Sequence, residues 1–304
     1  MKKRSALGTF LVIFGIVGLL AVFFNNDKSP LIGITSFLSK EINDGQTVDV
    51  SEIKNVDINT GSIDVHVIKG NSEEAVITVQ GRATKTFIES LQLNAMSKGD
   101  TLEISLDGER KNSLGWGWSN VTLTVELPEK QWNELAVEVN SGDIKVDKLS
   151  FDHADLQANS GDIMTDNFSV LTALTVNVHS GDIHVKEYEA EKIDFKVDSG
   201  DASFFNGVGE LIGSTGSGDI FVHAKDLLND TTLETGSGDI FIQLDNTPTS
   251  LAVDFNTASG DTTMHKDGFT YKNSSSRDED LRGTFGTGEI KLNVYSGSGD
   301  IFMK

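Results

Sequence analysis

The stretch Leu174-Thr175-Val176-Asn177-Val178-His179-Ser180-Gly181-Asp182-Ile183-His184-Val185 decides the fold. Apolar and polar residues alternate on both sides of a Ser-Gly-Asp tripeptide. That is the pattern of two short strands, each buried on one face, meeting at a corner. Glycine opens backbone angles closed to other residues, and Ser and Asp side chains bond nearby backbone amides, so the tripeptide has the chemistry a corner needs.

The tripeptide keeps returning, at Ser141-Gly142-Asp143, Ser160-Gly161-Asp162, Ser199-Gly200-Asp201, Ser217-Gly218-Asp219, Ser237-Gly238-Asp239, Ser259-Gly260-Asp261 and Ser298-Gly299-Asp300. Successive glycines are 19, 20, 19, 18, 20 and 22 residues apart before a wider last gap. Two short strands and two corners in about 20 residues leave no room for a crossover helix, but they suffice for one coil of a stacked repeat. The expectation is an all-β chain: a single-stranded parallel β-solenoid (β-helix) over residues 135–304, rising about 4.8 Å per coil. Hydroxyls at the inward positions Thr215, Thr235 and Thr257 are expected to form a short ladder inside it.

Residues 48–134 alternate without the period and read as an irregular β cap, which would protect an open parallel edge. Thr60-Gly61-Ser62 reads as a degenerate first corner, followed by Ile63 and Val65. The charged, Ser-rich residues 265–283 read as an excursion loop. Thr287-Gly288-Glu289 and Ser298-Gly299-Asp300, 11 residues apart, read as two corners sharing one strand. The stack then ends at Lys304 without a cap, so the last coil is expected to offer its edge to a partner strand.

At the other end, Lys2, Lys3 and Arg4 precede an apolar run over residues 6–24, 19 residues long. Such a run nearly spans a hydrocarbon core of about 30 Å. The preceding positive charge places residues 1–5 in the cytoplasm and everything after the run outside. The run exceeds the apolar part of a cleaved signal peptide, and Phe23-Phe24-Asn25-Asn26 is a poor cleavage context. A single-pass signal anchor in the cell membrane is expected, with residues 25–47 as a spacer.

The 304 residues include no cysteine, which excludes disulfides, thiolate metal sites and cysteine nucleophiles. Net charge is −21, and residues 1–29 carry +3, so the remainder carries −24. So acidic a body repels nucleic acid and anionic headgroups.

Candidate chemistry centres on the repeated carboxylates. Asp143, Asp162, Asp182, Asp201, Asp219, Asp239 and Asp261 should stack along one edge, with Asp300 further along. Calcium between coils is one reading, since calcium takes oxygen ligands, but one Asp per coil is sparse beside the calcium-binding β-roll. The favoured reading has each Asp bonding backbone amides of its own or the adjacent corner, with no cofactor. A polysaccharide-acting enzyme would need carboxylates clustered at one place with a basic partner. Here the acids are regular, and the arginines, Arg4, Arg82, Arg110, Arg277 and Arg282, all lie outside the regular repeats, so no catalytic residue is assigned. His179 and His184 flank one corner at outward positions. Gly115-Trp116-Gly117-Trp118 could form an aromatic loop for sugar or lipid, with buried core or loop packing the favoured reading.

The N-terminal anchor, the segment Val121-Thr122-Leu123-Thr124-Val125-Glu126-Leu127-Pro128 and the repeated Ser-Gly-Asp-Ile together resemble a known bacterial group. It is the "putative adhesin" domain of unknown function found in LiaG-type proteins of Gram-positive envelope-stress operons. The resemblance covers roughly residues 45–304. It implies a β-solenoid, a membrane-attached location and a link to envelope stress or adhesion, and it carries no catalytic residues to transfer. The expected function is a non-enzymatic envelope interaction or structural module, with an envelope protein or wall polymer as partner.

Overall fold

A computed structural model of the chain describes residues 39–108, 120–273 and 279–304. The apolar run 6–24 and the pair Trp116 and Trp118 lie outside the described residues. Among the described residues, no helix is long and apolar enough to cross a membrane.

The first part contains β1 (Ser39–Val48), β2 (Asn55–Thr60), β3 (Asp64–Lys69), β4 (Ala75–Thr84), a short helix α1 (Lys85–Ser90), β5 (Gln92–Lys98), β6 (Thr101–Asp107) and β7 (Asn120–Leu127). Regular coils follow, each a long strand and then a short one. They are β8 (Trp132–Ser141) with β9 (Ile144–Asp147), β10 (Ser150–Ser160) with β11 (Ile163–Asp166), and β12 (Ser169–Ser180) with β13 (Ile183–Lys186). Next come β14 (Glu189–Ser199) with β15 (Ala202–Phe205), β16 (Val208–Ser217) with β17 (Ile220–Ala224), and β18 (Thr231–Ser237) with β19 (Ile240–Leu244). The last part holds β20 (Ser250–Thr257), β21 (Thr262–Met264), β22 (Thr270–Asn273), β23 (Asp280–Gly286), β24 (Ile290–Ser296) and β25 (Ile301–Met303).

These strands form two facing sheets, of 12 and 13 strands. Each Ser-Gly-Asp corner carries the chain from the sheet of long strands to the sheet of short ones, and coils pair in parallel with the coils on either side. The alternating side chains interlock between the sheets; the Phe195 and Phe204 rings, one from each sheet, lie 4.7 Å apart. A second corner returns the chain through Lys148, Asn167, Glu187 and Asn206, at φ of 56°, 50°, 47° and 53°. Ten coils stack in this way, and nine steps of about 4.8 Å make a rod about 43 Å long.

The coils do not all stack in chain order. At the first end, the coil β6–β7 lies outside β2–β3, so β7 separates β3 from β4, its successor in sequence. Beyond it the antiparallel strands β1, β4 and β5 close the stack. Lys130 pins this end: its Nζ donates to the carbonyls of Val50 and Ile53 at 2.6 Å and sits 4.0 Å above the Trp132 ring. Burial pushes its ammonium pKa down.

The other end repeats the device. The coil β24–β25 is inserted between β18–β19 and β20–β21, parallel to both. The β22–β23 pair covers the far edge of β20 with antiparallel strands.

Several expectations are corrected by this arrangement. The last coil is not an uncapped edge, because β25 lies between β19 and β21 and its Ile301 and Met303 are fully buried. Thr287-Gly288-Glu289 is not a corner of the stack but a connector straddling the start of β20, held where the Ser250 hydroxyl accepts from the Glu289 amide at 2.9 Å. Residues 265–283 include β22 and the start of β23 rather than forming a bare loop. The expected spacer is strand from Ser39 onward, because β1 pairs along β4. The region 48–134 is only partly a cap, since β2–β3 and β6–β7 are themselves coils of the stack.

The first corner also moves by two residues. Thr60 pairs with Val139 and Val65 with Ile144, so Ser62-Ile63-Asp64, not Thr60-Gly61-Ser62, occupies the corner position. A two-residue shift keeps every side chain on its face, so alternation alone does not distinguish the two registers.

Candidate interaction face

The repeated aspartates form one continuous ladder. Oδ1 of Asp64 accepts from the amide of Asp143 at 3.0 Å, Asp143 from Asp162 at 2.9 Å, Asp162 from Asp182 at 2.9 Å, and Asp182 from Asp201 at 2.8 Å. Asp201 accepts from Asp219 at 2.8 Å, Asp219 from Asp239 at 2.7 Å, Asp239 from Asp300 at 2.7 Å, and Asp300 from Asp261 at 2.9 Å. Each carboxylate therefore serves the adjacent corner, and Asp300 stands between Asp239 and Asp261. Among the described residues, no group of three or more His, Asp or Glu side chains could hold a metal ion.

The glycine of the tripeptide is required by the same stacking. At Gly200 a Cβ would lie 2.0 Å from the Gly181 carbonyl oxygen, and φ is 137°. Inside the corner, the Thr215 and Thr235 hydroxyls lie 2.9 Å apart and both reach the Gly218 carbonyl. Ser296 and Thr257 continue the row through the carbonyls of Gly238 and Gly299. This is the expected hydroxyl ladder, with Ser296 as the member missing from the sequence reading.

The outer face of the short-strand sheet carries an aromatic column. Phe221 of β17, Phe241 of β19 and Phe302 of β25 are direct neighbours in register, and Phe205 of β15 lies diagonally beside Phe221. Ring centroids are 5.3 Å apart for Phe205 and Phe221 and 6.4 Å for Phe241 and Phe302. His265 closes the column edge-on against Phe302 at 5.0 Å. Phe241 is 37% exposed, Phe205, Phe221 and Phe302 are half-buried, and His265 is exposed. Two residues before Phe221, Phe241 and Phe302, on the same face, runs the aspartate ladder, at Asp219, Asp239 and Asp300; two residues after them stand His223, Gln243 and Lys304. The column is contiguous because β25 is inserted where it is; in chain order Thr263 would interrupt it.

The opposite sheet carries a shallow polar hollow of about 300 Å³ across β8, β10, β12 and β14. Asn140, Asn159, His179 and Asp198 line its corner side, with Glu138 and Lys196 behind them. His179 Nδ1 lies 2.6 Å from Asp198 Oδ2, and Lys196 Nζ lies 3.2 Å from Asp198 Oδ1. The hydrogen bonds from His179 and then Lys196 hold the Asp198 carboxyl below the usual carboxylate range. His179 and His184 are thus split between the two outer faces. The hollow offers donors and acceptors to a polar chain; the Phe column adds apolar faces.

Comparison with known proteins gives a family and a fold. A family model described as Toastrack DUF4097 matches residues 53–304. No curated protein matches. A solved Bacteroides fragilis protein, titled a putative adhesin, is 15% identical over 87% of this chain and 98% of its own, with a TM-score of 0.51. Two Parabacteroides distasonis structures are more distant. One, titled a putative lipid binding protein, is 15% identical over 86% of this chain and 96% of its own, at TM-score 0.44. The other, titled a putative adhesin, is 11% identical over 86% and 97%, at TM-score 0.41.

Proposed function

The chain belongs to the Toastrack DUF4097 family, and from that premise we propose that it is a non-enzymatic interaction module of the cell envelope, acting in adhesion or envelope stress. In this reading residues 6–24 hold the chain in the cell membrane, residues 1–5 are cytoplasmic, and the acidic β-solenoid stands outside. The charge pattern around the apolar run supports that orientation.

The observation that carries the reading is the outward-facing Phe column, with Phe241 37% exposed and Phe205, Phe221 and Phe302 half-buried, on a strongly acidic body. Strips of this kind mark interaction sites rather than solvent-facing surface. A wall polymer is the partner that the strip fits best. Phe rings offer flat faces to the C–H surface of a sugar, while the neighbouring carboxylates, His223 and Gln243 offer hydrogen bonds to its hydroxyls. The test is sedimentation of the protein with isolated cell-wall material, wild type against a Phe221→Ser, Phe241→Ser, Phe302→Ser variant. Loss of co-sedimentation by the folded variant is expected, and equal co-sedimentation would overturn the reading.

A further inference from the structure

The coil β24–β25 occupies a slot whose walls all come earlier in the chain. Those walls are β18–β19 on one side and β20–β21 on the other. Among the described residues, the coil is held by contacts from residues 289–304 to these walls and to their flanking residues Asp230 and His265. Leu292, Val294, Ser296, Ile301 and Met303 fill the space between the sheets. Asp300 joins the ladder on both sides, donating its amide to Asp239 and accepting from the amide of Asp261. The Ser296 hydroxyl donates to the Gly238 carbonyl at 3.1 Å, and the Lys304 amide donates to Ile242 at 3.0 Å.

The covalent tie between the coil and the rest is short and built to rearrange. Residues 287–289 cross over the start of β20, from β23 on one side to β24 on the other. Gly286 and Gly288 flank the crossing at φ of 54° and 70°, conformations that glycine leaves and re-enters without penalty. Extended, the four residues 286–289 span about 13 Å.

From this arrangement we propose that β24–β25 is an exchangeable coil, and that the slot takes the same residues from a second copy of the chain. Two neighbouring molecules then swap coils reciprocally and become a dimer. The slot makes the same contacts whichever chain supplies the coil, so the monomer and the swapped dimer differ chiefly at residues 286–289 and in chain concentration. The wall residues precede the filler in the chain, so whenever the coil is undocked a neighbour's coil competes with the chain's own. This inference stands apart from the wall-polymer reading, since it uses the slot and not the outer face.

The absence of cysteine makes the test clean. Phe241 and Phe302 are register partners on adjacent strands, about 4.8 Å apart at Cα, which is within disulfide range. Full-length Phe241→Cys and Phe302→Cys chains, carrying different tags, are co-expressed and oxidised. Exchange places the two cysteines together only when the coil of one chain fills the slot of the other. The control co-expresses Phe221→Cys with Phe302→Cys, two coils apart in the stack and beyond disulfide reach in either state. Several-fold more covalent heterodimer than in the control is expected; heterodimer at the control level overturns the proposal. A chain carrying both Phe241→Cys and Phe302→Cys must form its disulfide within a native fold. The pair Glu234→Cys and Tyr295→Cys, register partners in the other sheet, repeats the test if that chain fails.

Discussion

Replacing Asp201 separates the two roles an acidic ladder can have. Its Oδ1 accepts from the Asp219 amide at 2.8 Å, while its own amide stays bonded to Asp182. Asp201→Ala leaves the Asp219 amide without its acceptor. A hydrogen bond to a charged group contributes about 1.5–3 kcal/mol, and water reaching this exposed corner brings the expected loss to about 1–2 kcal/mol. Asp201→Asn keeps an oxygen acceptor and removes a charge that sits about 4.8 Å from each neighbour in the ladder. Each such repulsion is about 0.9 kcal/mol at the dielectric of water, roughly halved by physiological salt. Relief of two repulsions then offsets the weaker neutral bond, and Asp201→Asn is expected to lie within about 1 kcal/mol of wild type. Thermal unfolding followed by the circular-dichroism β signal measures both, with calcium and with chelator. If the ladder bound calcium, chelation would lower the wild-type Tm and Asp201→Asn would be as damaging as Asp201→Ala. Equal loss from Ala and Asn would refute the amide-acceptor role.

Other consequences concern the same stack. Gly200→Ala places a Cβ against the Gly181 carbonyl in a backbone region closed to alanine, and is expected to lose more than about 3 kcal/mol. Gly61→Ala, where a Cβ meets nothing within 4 Å, should stay within about 0.5 kcal/mol in the same denaturation series. The Thr165 hydroxyl is buried without a hydrogen-bond partner, between Val146 and Val185 in register, so Thr165→Val is expected to raise stability by about 1 kcal/mol. Burial first, and then Lys145, holds the His66 imidazole below its usual range, against the opposing pull of Asp64 and Asp143. A depressed histidine means that the unfolded chain binds more protons. Its contribution is therefore full above pH 6.5 and falls away as pH drops below that value through the lowered folded pKa. A His66→Gln variant should show a flatter loss of Tm between pH 7 and pH 5 than wild type.

Much of the regular stack was legible because Ser180-Gly181-Asp182 and its copies encode a corner in residue chemistry and not only in spacing. The returning corner was not legible. Asn167 and Asn206 suit a left-handed backbone, but Lys148 and Glu187 hold the same conformation with no residue type in common. Coil order was hidden for a different reason. Ser259 follows Ser237 by 22 residues, so β20–β21 looks like the next coil, and its corner would fit Gly238 as well as it fits Gly299. Only the rest of the chain, from β22 to β25, decides that another coil comes between. The Phe column did have a signal: Ile220-Phe221-Val222, Ile240-Phe241-Ile242 and Ile301-Phe302-Met303 each put an apolar residue at the outward position of an alternating strand. The alternation drew attention to the inward pair and away from the ring between.

Both the unbroken Phe column and the exchangeable slot depend on β25 lying between β19 and β21. Hydrogen exchange of the backbone amides tests that placement directly. The Ile301 amide donates to Asp261 and the Lys304 amide to Ile242, one toward each wall. With β25 inside the stack, both should be protected as strongly as the amides of β17 and β19, and more strongly than those of the edge strand β21. Rapid exchange at Ile301 and Lys304 with slow exchange across β21 would put the coils in chain order, and would contradict the account.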